Sequence, residues 1–124
     1  MIDETLLIPV NLLKAIGDRR SFVATDSASR LTVEFFKRTD TNSLAAKVTF
    51  GPDTEGPPGL AHAASVGAAM SEAMIFAGWA QGQALLSMRF SATYKQMVPV
   101  GTTAFIETTV VILYDNAANI CATF

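Results

Sequence analysis

Between Glu55 and Arg89 a single residue carries a formal charge, Glu72, and it follows the chain's only histidine, His62, on the same stretch. A lone carboxylate among apolar residues is costly to bury unless it finds hydrogen bonds, takes up a proton or reaches water. Glu72 therefore reads in three ways: as a group on a solvated edge, as a contact at a subunit interface, or as a general base or orienting acceptor lining a cleft. As the sole histidine, His62 excludes a multi-histidine metal site. Helix capping or loop packing stands beside a ligand-facing role for it. The amides of Ala63, Ala64 and Ser65 come next, and they lack intrahelical partners if a helix begins here. Amides at the positive end of a helix suit a polarised carbonyl or a developing oxyanion.

These residues need a helix to carry them, and the pattern supplies one. His62 to about Trp79 is rich in Ala, with Val66, Ala69, Met70, Ala73, Met74 and Ala77 at three- and four-residue steps. Gly67 and Gly78 each weaken it by about 1 kcal/mol if exposed. Small residues at 63, 64, 67, 68 and 69 predict a close approach to a sheet. Before the helix, residues 51–59 hold three glycines and three prolines, so they form a loop with fixed turns.

Strands are expected at Leu31–Phe36 and Leu44–Phe50, separated by a turn at Asp40, Thr41 and Asn42. After the helix, Leu86, Met88, Phe90, Ala92 and Tyr94 alternate with Ser87, Arg89, Ser91 and Thr93, which predicts a long strand. Val98 to Gly101 is a turn. Thr102 to about Leu113 is β-branched and reads as the next strand. Asn119–Phe124 reads as a short last one, giving five strands or six. Residues 3–20 read as a segment before the domain, with one short helix after Pro9. The division is an N-terminal extension, 1–30, and one domain, 31–124. One long helix against an antiparallel sheet is an α+β arrangement, and a helix this apolar must be wrapped by the sheet or covered by another subunit.

Composition bounds the rest. The chain has 124 residues, half of them apolar, and its charged fraction of 16% falls below the roughly 25% usual in soluble domains. That surplus of apolar surface suggests subunit contacts. A net charge of -2 with scattered Lys and Arg gives no nucleic-acid footprint. No apolar run reaches bilayer-spanning length, and the start lacks the basic flank of a secretory signal, so a cytoplasmic, non-membrane location is expected. Cys121 has no second cysteine for a disulfide or zinc site and is expected in the core or an interface. Trp79 is expected to pack in the core or an interface.

The run Gly56-Pro57-Pro58-Gly59-Leu60-Ala61-His62-Ala63-Ala64-Ser65, with Met70-Ser71-Glu72-Ala73-Met74 after it, resembles the hotdog-fold acyl-CoA thioesterase superfamily. The nearest branch is the phenylacetyl-CoA thioesterase-like one, where a glycine-rich turn leads to a His-Gly-Gly step and a helix with a central aspartate. The resemblance continues from Met88 through Tyr94 to the Val98-Pro99-Val100-Gly101 turn and covers about residues 31–124. It implies a hotdog fold, a homodimer or dimer of dimers, and an active site between subunits.

The resemblance also implies roles. His62 matches the family histidine, and the amide of Ala64 matches the oxyanion donor, although Ala63 and Ala64 stand where glycines are usual. Ser71 stands at the catalytic aspartate and cannot serve as the same base. Glu72, about 100° further around the helix, is the remaining carboxylate. Gly59, Ala63, Ser65, Met70, Met74 and Arg89 complete the expected substrate contacts, with Met70 and Met74 along an apolar acyl slot; a charge on a solvated strand face, paired with its neighbours, stands beside a phosphate contact for Arg89. The implied activity is hydrolysis of an acyl-CoA or related thioester, with no metal and no retained cofactor. The alternative is a non-catalytic hotdog protein that binds an acyl thioester or apolar ligand, having lost the helix aspartate.

Overall fold

The computed structural model describes residues 3–10, 30–82, 86–113 and 118–124; the side chains of residues 112 and 113 are not described. Five strands form one antiparallel sheet in chain order: β1 (Leu7–Pro9), β2 (Leu31–Arg38), β3 (Leu44–Phe50), β4 (Thr103–Leu113) and β5 (Ala118–Thr123). One helix, α1 (Ala63–Ala80), lies between β3 and β4 in the chain.

Local chemistry sets the strand boundaries. The β2–β3 turn places Asn42 at φ 61°, a left-handed conformation that Asn tolerates better than most residues. Its ends are tied by Arg38 N–H to Ser43 O (2.9 Å) and Asn42 N–H to Arg38 O (2.9 Å). The turn before β4 has Gly101 at φ 91° and a Thr102 N–H to Pro99 O bond, a type II arrangement that needs glycine third. Between β4 and β5 the register slips around Val111, a bulge that adds local twist.

Alternation then separates the two faces of the sheet. Ala46, Val48 and Phe50 of β3 face the helix with Leu31 and Ile106, against Val66, Ala69 and Ala73. A second cluster joins Leu44, Phe76 and Ala77, with Trp79, Val110 and Ile120 beside them. Phe76 is fully buried and meets Phe35 edge-on at 5.0 Å between centroids. The small side chains of Ala69 and Ala73 let the helix lie close on the strands, as their spacing predicts.

On the outer face, Arg38 of β2 reaches over Ala45 of β3 to Glu107 of β4 at 3.0 Å. Ala45 is fully buried there. Arg38 also pairs with Asp40 at 2.7 Å, and this hydrogen-bonded guanidinium holds the Asp40 carboxyl below its ordinary value. One long helix wrapped by a curved, five-stranded antiparallel sheet is the hotdog fold.

The count of five strands agrees with expectation, but the membership differs. Residues 7–9, placed in the N-terminal extension, pair with β2. Leu86–Tyr94, expected as a long strand, is not one. β4, the strand it leads into, is paired on both edges with β3 and β5, and the segment pairs with no strand of the sheet, so its alternation did not make it part of the ladder. It runs back along α1 to Val98, whose carbonyl accepts Ala61 N–H at 2.7 Å. Cys121 is exposed on β5, so of the two expected places, core or interface, it is not in the core of this chain; odd-numbered residues of that strand face away from the helix. The helix expected after Pro9 lies outside the described residues. No helix among the described residues is long and apolar enough to cross a membrane.

Candidate functional site

The entry to α1 is held by an interlocked set of backbone bonds. Ala61 N–H reaches Val98 O (2.7 Å), Val100 N–H reaches Gly59 O (3.0 Å), and Gly101 N–H reaches Phe50 O (2.7 Å). Gly59 adopts φ 78°, and its N–H donates to Glu55 Oε2 at 3.0 Å. The proline- and glycine-rich loop is thereby pinned to the end of β3 and to the turn before β4. Gly56 packs so tightly on His62 that an added Cβ would stand 3.0 Å from the His62 Cβ and Cδ2. The absence of a side chain at 56 is what lets the loop close on the imidazole.

His62 caps the helix. Its backbone is extended, its N–H donates to Thr54 O (2.7 Å), and its Nδ1 accepts the Ala64 N–H at 2.9 Å. Accepting through Nδ1 leaves Nε2 as the protonated nitrogen of a neutral ring. Ser65 closes the turn: its N–H and Oγ both donate to His62 O, at 2.9 and 2.6 Å. Of the three amides expected at a ligand, those of Ala64 and Ser65 are thus engaged within the helix entry. His62, Ala63 and Ala64 are exposed and Ser65 is half-buried.

The remaining predicted residues spread along α1. Ser71 lies about 10 Å of axial rise beyond Ala64. It shares a face with Ala64, Gly67 and Met74 by three- and four-residue spacing, and it is half-buried, as are Met70 and Met74. Glu72 is buried, 8% exposed, on the face of Ala69 and Phe76. A solvated edge is therefore not where Glu72 resides. Arg89 is exposed on the segment after the helix, not on a strand.

Sequence reasoning missed Tyr94. Its hydroxyl stands 2.6 Å from where a Cβ on Gly67 would be, with the Phe90 ring edge 3.9 Å from the same point. The signal was Gly67 itself, since a glycine inside a helix costs stability unless something approaches its backbone closely. It was assigned to sheet contact, whereas the segment after the helix fills that space.

A groove of about 680 Å³ opens at the other end of the molecule, lined by Arg38, Ser43, Leu44, Ala77, Gln81 and Glu107 among others. None of the predicted site residues lines it. No cluster of three or more His, Cys, Asp or Glu suited to a metal occurs among the described residues.

No family model matches the chain. Over 57 residues it is 33% identical to a mouse protein. That protein is acyl-coenzyme A thioesterase THEM5. The matched stretch covers 46% of this chain and 23% of the relative, so the chain spans under a quarter of that protein's length in the match. The similarity agrees with the hotdog architecture and does not single out a branch of the thioesterases.

Proposed function

We propose that the chain acts on an acyl thioester, hydrolysing an acyl-CoA or a related compound at a cleft completed by a second copy. The supporting observation is the exposed, histidine-capped entry of α1, in a chain similar over 57 residues to a mouse acyl-CoA thioesterase. The thioester carbonyl sits at the amides of residues 63–65, beside Gly59. Turning the His62 imidazole off Ala64 N–H frees that donor for the oxyanion. Water adds to the carbonyl carbon, its proton passes to a carboxylate, the C–S bond breaks, and the thiol leaves with a proton.

Glu72 is the carboxylate on α1, and Ser71, on the Ala64 face, holds the water or the acyl carbonyl. Met70 and Met74 line the acyl chain, and Arg89 meets the phosphates of the carrier. A homodimer or dimer of dimers covers the apolar surface of the segment after the helix, where Leu86, Met88 and Met97 are 80, 96 and 78% exposed. The protein works in the cytoplasm and retains no cofactor.

A second reading, binding without hydrolysis, is favoured by two specific observations. Ala64 N–H already has a partner, while Glu72 is buried on a different face from Ser71. Thiol release measured across an acyl-CoA panel separates the two. Turnover lost in Glu72→Gln but largely kept in Ser71→Ala supports hydrolysis through Glu72. Turnover kept in Glu72→Gln removes that residue from the mechanism. No turnover by folded protein anywhere on the panel leaves the binding reading.

A further inference from the structure

We propose that His62 is a proton-operated cap: the neutral imidazole covers the Ala64 amide, and a proton taken up at Nδ1 releases that amide to a carbonyl ligand. The inference rests on the reading of Ala64 N–H as the oxyanion donor, and it names what turns the ring off it. Nδ1 accepts the Ala64 N–H at 2.9 Å through its one lone pair. A proton at Nδ1 occupies that lone pair and leaves one N–H facing another. The imidazolium is also repelled by the positive end of α1. Proton uptake and departure of the ring therefore go together. The amide is covered while the ring is neutral and opens as pH falls.

The surroundings let the ring move alone. The His62 backbone is tied on both sides of the side chain, its N–H to Thr54 O and its O to the N–H and Oγ of Ser65. The residue is exposed, and among the described residues Nδ1 is the one ring atom with a hydrogen bond. Gly56 packs on the Cδ2 edge and has no side chain to pin it. Few charged groups lie around this entry. The loop that carries Gly56 brings Asp53 and Glu55, and the Glu55 carboxylate accepts the Gly59 N–H. The first turn of α1 has no acid, and the turn of residues 98–101 has no titratable side chain. Arg89, Tyr94 and Lys95 belong to the segment whose Tyr94 lies over Gly67, further along the helix. The titration thus falls to the imidazole, the side chain whose ordinary range lies nearest neutral pH.

NMR reads the cap without any ligand, and with one histidine in the chain the ring signals are unambiguous. Isotope-labelled protein is titrated from about pH 8 to about pH 4.5, a span over which an imidazole changes charge. The nitrogen–nitrogen coupling across the bond from Ala64 N–H to Nδ1 is expected to vanish as the ring gains its proton. Two phosphate-free thioethers then probe the amide: S-(hexanoylmethyl)pantetheine, a ketone, and S-heptylpantetheine, which lacks the carbonyl. Ketone binding is expected to tighten roughly three- to tenfold in step with the ring, as the open fraction rises. Binding of the heptyl compound stays flat. His62→Asn, an acceptor that does not titrate, gives weak and flat ketone binding, and His62→Ala gives tight and flat binding. Glu55→Gln keeps the response of the parent.

A coupling that survives protonation of the ring overturns the proposal. So does a coupling lost with no gain in ketone binding, and so does a gain that persists in His62→Asn or is shared by the heptyl compound. A response lost in Glu55→Gln assigns the titration to the loop and overturns it as well. The coupling is read on the parent chain, so the test stands even where a variant does not fold. Neither probe carries a thioester, so absence of thiol release leaves the cap standing. Hydrolysis by a chain whose cap bond persists sinks the cap alone.

Discussion

β3 and the segment 86–94 carry the same sequence signal and meet opposite fates. Each alternates apolar residues with polar or small ones over seven to nine positions. β3 is central, paired on both sides, with Leu44, Ala46, Val48 and Phe50 closed against α1. The later segment makes no ladder and leaves Met88 almost wholly in water. Alternation states that a stretch can present one apolar face; whether it becomes a strand depends on backbone pairing, which alternation does not specify. β3 has a partner on each side, whereas the later segment pairs with neither outer strand of the sheet.

The contrast breaks first at the shared inner surface. Phe76→Ala, which empties a fully buried site between α1 and the sheet, is expected to cost about 3–5 kcal/mol in urea unfolding. The matching truncation Met88→Ala is expected to change the stability of the single chain by no more than about 0.5 kcal/mol. A large effect at Met88 that does not depend on protein concentration would mean that the segment packs on its own chain and the comparison is mistaken. Ala73→Leu is next, because a larger side chain against Ala46 and Val48 overpacks the closest helix–sheet contact by about 1–3 kcal/mol. Ser91→Leu, on the exposed segment, adds similar bulk without that penalty.

Smaller effects sharpen the picture at the helix entry. His62→Ala removes the acceptor for Ala64 N–H and is expected to cost about 1 kcal/mol, with His62→Asn restoring much of it. The weakest effect lies on the outer face. The Asp40 carboxyl is held below its ordinary value by its hydrogen bond to Arg38. Its contribution is therefore present above the ordinary carboxylate range and lost as pH falls through the depressed value. Asp40→Asn is expected to flatten that part of the acid limb of the stability curve by lowering stability slightly at neutral pH while leaving it unchanged below the depressed value, read by denaturant titration at a series of pH values.

Much of the architecture was legible because local chemistry and burial agree there. The helix runs Ala63–Ala80 where His62 to Trp79 was expected, and the loop of residues 51–59 contains only a short 3-10 turn. β3 matches its expected limits, and β4 does so to within a residue. Leu7–Pro9 escaped notice because three residues are too few to show a period. The site was legible in identity but not in wiring. His62 was marked as a cap or a ligand contact, yet nothing in its spacing shows that Nδ1 takes the Ala64 amide. Likewise the small residues at 63, 64, 67, 68 and 69 look alike in sequence, while only Ala69 belongs to the buried core facing the strands and Gly67 receives Tyr94.

The short strand β1 carries a consequence for how the sheet can grow. Leu6 O and Val10 N face inward to Thr39 N and Phe35 O, so Leu7 and Pro9 direct their backbone nitrogens outward. The Leu7 N–H is already spent on Glu4 O, and Pro9 has none to give. Within β1 that border of the sheet offers an arriving chain no free backbone donor, and these three residues do not extend it. Of the two outermost described strands only β5, six residues long and free of proline, keeps the chemistry of a template.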